Sequence, residues 1–117
     1  MTDLIACLST GKGTWIEVSR IMKAAEWTNI YLIAPKFSME NFKHEKKFEF
    51  IEINPDGEIE DIKKIIVEKL KGKLDIDTAI SLISGSGKEH MAVISAALIL
   101  GAGIRLVSIR NNNMIEA

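Results

Sequence analysis

The chain has 117 residues, 47% of them apolar, and its charges nearly cancel, with 15 Lys and Arg against 16 Asp and Glu. That length suits one domain, over residues 1–117, with a hydrophobic core of its own. The balance of charge argues against direct, sequence-independent binding of duplex DNA, which goes with a basic excess.

A single cysteine, Cys7, excludes a disulfide framework within the chain, and its place in an apolar run marks it as a buried structural thiol. The longest apolar run, 91–104, is too short to span a bilayer, and no leader precedes the first strand. The expectation is a soluble cytoplasmic protein with no membrane contact.

Residues 3–8 (DLIACL) form a short continuous apolar run, the pattern of a strand covered on both faces. A loop of Ser9, Thr10, Gly11, Lys12, Gly13 and Thr14 follows. Thr14 suits the N-cap of a helix from Trp15, in which Trp15, Val18, Met22 and Ala25 (or Ile21) make an apolar stripe. Trp15 stands at the loop edge, where it can serve either core packing or base stacking. Residues 29–34 (NIYLIA) predict a second strand, ended by Pro35.

Residues 36–47 read as an irregular connection with one helical turn, carrying Lys36, Lys43, Lys46, Lys47 and the titratable His44. That run is either a solvated face or a basic rim that attracts an anion. Residues 48–53 (FEFIEI) alternate apolar and acidic, as a half-exposed edge strand does. Asn54-Pro55-Asp56-Gly57 is a turn. Residues 58–70 form an amphipathic helix with Ile59, Ile62, Ile66 and Leu70 on one side and Gly72 as its C-terminal cap.

Residues 77–84 (DTAISLIS) predict a buried fourth strand. The loop Ser84-Gly85-Ser86-Gly87-Lys88 leads into an apolar helix that ends at a glycine. Residues 105–110 are a fifth strand, and 111–117 a tail that either adds an antiparallel ribbon or stays disordered. Alternating strands and helices imply a three-layer α/β domain, a mostly parallel five-stranded sheet with helices on both faces. Ligands of such sheets bind at the carboxyl ends of strands, where strand order reverses. Both Gly/Ser/Lys loops follow carboxyl ends.

Glycines let backbone N–H groups approach an anion, serines add hydroxyl donors, and a helix start adds unpaired N–H groups. A Walker A loop is absent: position 82 is Leu82 and Lys88 is followed by Glu89. The dinucleotide fingerprint fails because its third glycine falls on Ile16. His44 and His90 are isolated, so no metal cluster and no metal cofactor is expected.

The sequence 84–91 (SGSGKEHM), between a strand and an apolar helix, resembles the fourth-strand motif of the CRISPR-associated Rossmann fold (CARF) domains. There a Thr-Gly-Gly-Thr-Lys-like loop precedes an Ala/Leu-rich helix. Here Ser84 and Gly85 stand for Thr-Gly, Ser86 and Gly87 replace Gly-Thr, and Lys88 matches the lysine. His90 stands where a methionine is expected, and Met91 follows one place later. The first loop (LSTGKGTW) is similar to the family's strand-one motif, in which a Ser/Thr/Gly loop leads into Gly-Thr-Trp. The likeness in element order extends over almost the whole chain.

The resemblance implies a Rossmann-like homodimer that binds cyclic oligoadenylate, a second messenger of CRISPR antiviral defence, across its two-fold axis. It implies ligand contacts from Ser9, Thr10, Gly11, Lys12, Gly13, Thr14 and Trp15, and from Ser84, Gly85, Ser86, Gly87 and Lys88. The 117 residues leave no room for an effector segment, so the expectation is a stand-alone sensor, a stand-alone ring nuclease or a fragment of a longer protein. One activity that follows is a ring nuclease needing no metal and no cofactor, in which the ligand's ribose 2′-hydroxyl attacks the neighbouring phosphate and leaves 2′,3′-cyclic phosphate ends. Lys88 would stabilise the phosphorane, Ser9 would position the ring, and His90 would be the general acid. The alternatives are a sensor that binds without cleaving and acts on a partner chain, and an unrelated small Rossmann-like protein that binds a mononucleotide.

Overall fold

A computed structural model describes residues 2–117. The elements run β1 (Thr2–Cys7), a short 3₁₀ turn (Lys12–Thr14), α1 (Trp15–Lys23), β2 (Ile30–Ala34), α2 (Lys36–Asn41) and β3 (Glu49–Glu52). There follow α3 (Ile59–Leu70), β4 (Asp77–Ser81), α4 (Gly87–Ile99), β5 (Gly103–Arg110) and β6 (Asn113–Glu116). The sheet has six strands in the order β3-β2-β1-β4-β5-β6. All neighbours are parallel except β5 and β6.

The expected three-layer α/β architecture is present, with one strand more than expected. The tail forms the ribbon: Asn111 and Asn112 take positive φ (51° and 65°), the pair of left-handed residues that a tight hairpin turn needs. Asparagine tolerates that region better than other side chains.

Alternation along β1 divides the core. Leu4, Ala6 and Leu8 face a layer with Val18, Ile21 and Met22 of α1. Ile5 and Cys7 face Ile62, Ile66 and Leu70 of α3 and Ala92, Val93, Ala96 and Ala97 of α4. Strands β1 and β2 are buried along nearly their whole length, as their continuous apolar runs require. β3 lies at the edge, with only Ile51 buried, as its alternation predicts.

Three expectations change in detail. The fourth strand stops at Ser81, so residues 82–84 belong to the following loop. Thr14 occupies the N-cap position of α1 but its hydroxyl does not cap the helix. The cation-rich connection holds a full short helix, α2. Cys7 is fully buried, as expected. Among the described residues no helix is long and apolar enough to cross a membrane.

Asp3 interrupts the first apolar run yet is fully buried. Its carboxylate accepts from Asn29 Nδ2 (3.1 Å) and from the backbone N–H of Asp75 (2.7 Å), which ties the start of β1 to the segments entering β2 and β4. At the same end of the sheet Arg105 donates to both carboxylate oxygens of Asp77 (2.9 Å each) and to Glu116 (3.1 Å). Thr2 adds a hydroxyl bond to Asp77 at 2.7 Å. Four strands, β1, β4, β5 and β6, are thereby joined by one polar cluster.

The guanidinium of Arg105, and next the Thr2 hydroxyl, hold the Asp77 carboxyl below the usual carboxylate range. Its contribution is therefore present above the ordinary Asp pKa, about 3.9, and is lost as pH falls through the lower folded value. Asp77→Asn should lower the thermal midpoint by a few degrees at pH 7, and the gap to wild type should be narrower at pH 2.5. A gap of the same size at both pH values, read by circular dichroism, would contradict this role.

Candidate functional site at the strand-order switch

Strand order reverses between β1 and β4, which are neighbours although their loops lie 75 residues apart in sequence. The loop after β1 (residues 8–14) and the loop after β4 (residues 82–86) consequently leave the sheet side by side. β1 makes its last strand-like bond from Leu8 N–H to Ile33 O (2.9 Å). The next amide, Ser9 N–H, donates instead to Ser84 Oγ at 2.9 Å. Ser84 is almost fully buried beneath the rim.

The hydroxyls at this junction form a directed chain. Thr14 donates to Ser84 Oγ (2.7 Å), Ser84 donates to Ser9 Oγ (3.1 Å), and Ser9 donates to Gly11 O (3.0 Å). A hydroxyl has one proton, so all three protons are committed inside the cluster. The Ser9 carbonyl accepts twice more, from Trp15 Nε1 (2.9 Å) and Ser38 Oγ (2.7 Å). Thr14, Trp15, Ser84 and Ser9, all expected at the site, are thus brought together, with Ser38 as an addition.

The second loop is fixed from below. Gly85 has φ +97°, and a Cβ there would lie 3.1 Å from Cys7 Cβ, 3.3 Å from Glu89 Oε2 and 3.3 Å from His90 Nε2. Only glycine satisfies both the backbone and the space. Ser86 caps α4 and Glu89 returns the bond, its carboxylate accepting from Ser86 N–H (3.1 Å) and Ser86 Oγ (2.9 Å). Burial, and next the Glu89 carboxylate, push the Cys7 thiol pKa well up, so Cys7 is an inert packing residue.

Of the three expected catalytic residues, Ser9 and His90 both contact Ser84 while Lys88 does not, and each of the three already donates to a carbonyl of this chain. The Ser9 hydroxyl donates to Gly11 O. His90 Nε2 lies 2.8 Å from Ser84 O, and a carbonyl only accepts, so this nitrogen carries its proton. Lys88 Nζ donates to Gly57 O (2.9 Å) and Pro55 O (3.4 Å), the turn before α3, away from the first loop.

Lys12 differs. Its ammonium sits 5.8 Å from the Trp15 ring centroid and 5.9 Å from that of Phe37, and among the described residues it forms no ion pair. Thr10, Gly11, Lys12, Gly13, Ser86 and Gly87 are exposed at the rim. In the first α4 turn Ser86 Oγ accepts from the Glu89 N–H, which leaves the N–H groups of Gly87 and Lys88 without intrahelical acceptors. The hydroxyls therefore build the cradle, while backbone N–H groups and Lys12 are what it presents to an anion.

Sequence reading missed Glu89, Ser38 and Phe37. The first was accessible, because Ser86-x-x-Glu89 is a capping-box pattern. The other two come from α2, which no local pattern links to the first loop. A separate cleft of about 490 Å³ lies at the opposite end of the sheet, against Trp27, Asn29, Lys46 and Phe48, and contains none of the expected residues. No protein-family model matches the chain, and no curated protein matches it.

The two loop glycines separate geometry from helix propensity. Gly85→Ala should cost about 1–2 kcal/mol for its left-handed backbone alone, before the contact with Cys7. Nothing lies within 4 Å of a Cβ at Gly87, where alanine should be neutral or gain up to about 1 kcal/mol. Urea unfolding of both variants checks this, and equal effects would contradict it.

Proposed function

We propose that the chain binds a cyclic oligoadenylate as a homodimer, with the two loops at the β1–β4 junction holding its phosphates. The observation that carries this reading is the hydroxyl chain Thr14–Ser84–Ser9. It fixes two Gly-rich loops into one rim and leaves backbone N–H groups and Lys12 for the ligand. The identity of the ligand rests on the resemblance of both loops to the CARF motifs. Binding without cleavage is favoured because Ser9, His90 and Lys88 each donate to a backbone carbonyl of the chain itself.

A two-fold ligand suits an isologous pair of chains. The outer face of α4 supports that pairing: Met91, Leu98 and Ile99 are exposed on a helix whose other face is buried. Leu106 pairs with Ile80, whose side chain belongs to the α3–α4 core, so it adds to the same exposed face. Met91 stands one turn from Gly87, which would bring the loops of two chains close together about the axis.

The test is incubation with cyclic tetra-adenylate and cyclic hexa-adenylate in EDTA, followed by chromatography and native mass spectrometry. The expected species is two chains with one intact ring. Lys12→Ala should weaken it by about tenfold, the loss of one charged hydrogen bond, and Lys88→Ala by less. Conversion to linear fragments that Lys88→Ala abolishes would replace the binding reading with a ring nuclease. No complex with either ring would remove the proposal.

A further inference from the structure

The cleft of about 490 Å³ at the far end of the sheet lies apart from the two loops and has walls that are already fixed. It opens between the segment joining α1 to β2 and the segment joining α2 to β3. Two contacts tie these segments together. Lys46 Nζ donates to Ala25 O at 2.7 Å, and Lys23 pairs with Glu45 at 3.2 Å. Trp27 Nε1 donates to Ile21 O (3.1 Å), which sets the indole. The Phe48 ring meets Phe42 and Phe50 edge-on, with centroids 5.9 Å and 4.9 Å apart. A preformed cleft within about 300–1,000 Å³, with aromatic walls and a few polar groups, has the build of a small-molecule site.

The polar groups of the cleft divide by sign. Lys46 is committed to Ala25 O, and Glu49 pairs with Lys73 at 3.6 Å. Glu26 and Lys47 line the cleft from opposite segments, and both are exposed. Among the described residues neither forms an ion pair, with each other or with any other group. Asn29, on the same segment as Glu26, donates from Nδ2 to the buried Asp3 carboxylate (3.1 Å), which orients its amide and leaves Oδ1 as an acceptor. The α1–β2 side therefore offers acceptors and the α2–β3 side an ammonium, with Trp27 and Phe48 as apolar surface. A ligand that carries an ammonium, a carboxylate and an apolar body matches all three features.

We propose that this cleft binds a free α-amino acid with an aromatic or large apolar side chain. Its ammonium meets Glu26 and Asn29 Oδ1, its carboxylate meets Lys47, and its side chain lies against Trp27 and Phe48. The site is separate from the β1–β4 junction, and the proposal holds whatever ligand the two loops take.

The experiment titrates the ¹⁵N-labelled full chain with L-phenylalanine, with 3-phenylpropanoate, which lacks the ammonium, and with 2-phenylethylamine, which lacks the carboxylate. The expected result is saturable amide shifts at 26–30 and 46–49 with phenylalanine, while 9–15 and 84–90 stay in place. Each of the two half-ligands should bind about threefold to fivefold more weakly, the size of an exposed charge pair. Glu26→Gln should narrow the advantage of phenylalanine over 3-phenylpropanoate, and Lys47→Gln its advantage over 2-phenylethylamine. Both changes are at exposed positions, and each should leave the other advantage in place.

No saturable shift with phenylalanine would overturn the proposal. Equal affinity for the three ligands would overturn it too, since the cleft would then read apolar surface and not charge. Advantages that persist unchanged in both variants would remove Glu26 and Lys47 from the site and the proposal with them.

Discussion

The structure turns on the Ser84 hydroxyl. It accepts from a backbone N–H of one loop and from Thr14, and it donates to Ser9, so a single buried oxygen joins two segments 75 residues apart. A buried polar group left unpaired costs about 1–3 kcal/mol, and each of the three hydroxyls of Thr14, Ser84 and Ser9 has a partner. The arrangement depends on strand order: only because β1 and β4 are neighbours do the two loops meet. Gly85 completes the constraint, since its left-handed backbone lets the second loop lie directly on Cys7.

That economy of protons shapes what the rim does. Three side-chain donors that look available in the sequence are already engaged, Ser9 with Gly11, Ser86 with Glu89 and His90 with Ser84. The surface facing a ligand is therefore mostly backbone, which favours anions by geometry and not by net charge. This agrees with a chain whose total charge is −1. Of the two loop lysines, Lys88 braces the turn before α3, and Lys12 stays over two aromatic rings. The cation at the mouth of the site thus comes from the first loop.

Much of the fold was legible because its signals are periodic. The apolar runs of β1, β2 and β4, the alternation of β3 and the stripe of α3 each report one burial pattern, and those patterns are the ones observed. The parallel sheet with helices on both faces follows from their alternation. The sixth strand was harder to read, since Asn113–Glu116 gains its structure from pairing with β5 and not from any pattern of its own. Buried Asp3 was hidden for a similar reason: its partners Asn29 and Asp75 are distant in sequence.

The site was legible as a pair of loops and not as a set of roles. Residue type marks Lys88 and Lys12 as equivalent, yet one is tied to carbonyls of another turn and the other is not. Phe37 lies in a stretch whose lysines dominate its reading, and only the packing of α2 against Trp15 reveals it.

The most direct test of the junction as a ligand site is residue-resolved. In a titration of ¹⁵N-labelled chain with cyclic tetra-adenylate, amide shifts should move at 9–15 and 84–90. Residues 26–30 and 46–49, which line the cleft at the far end of the sheet, should stay in place. Shifts confined to that far cleft, with the two loops unmoved, would contradict the account.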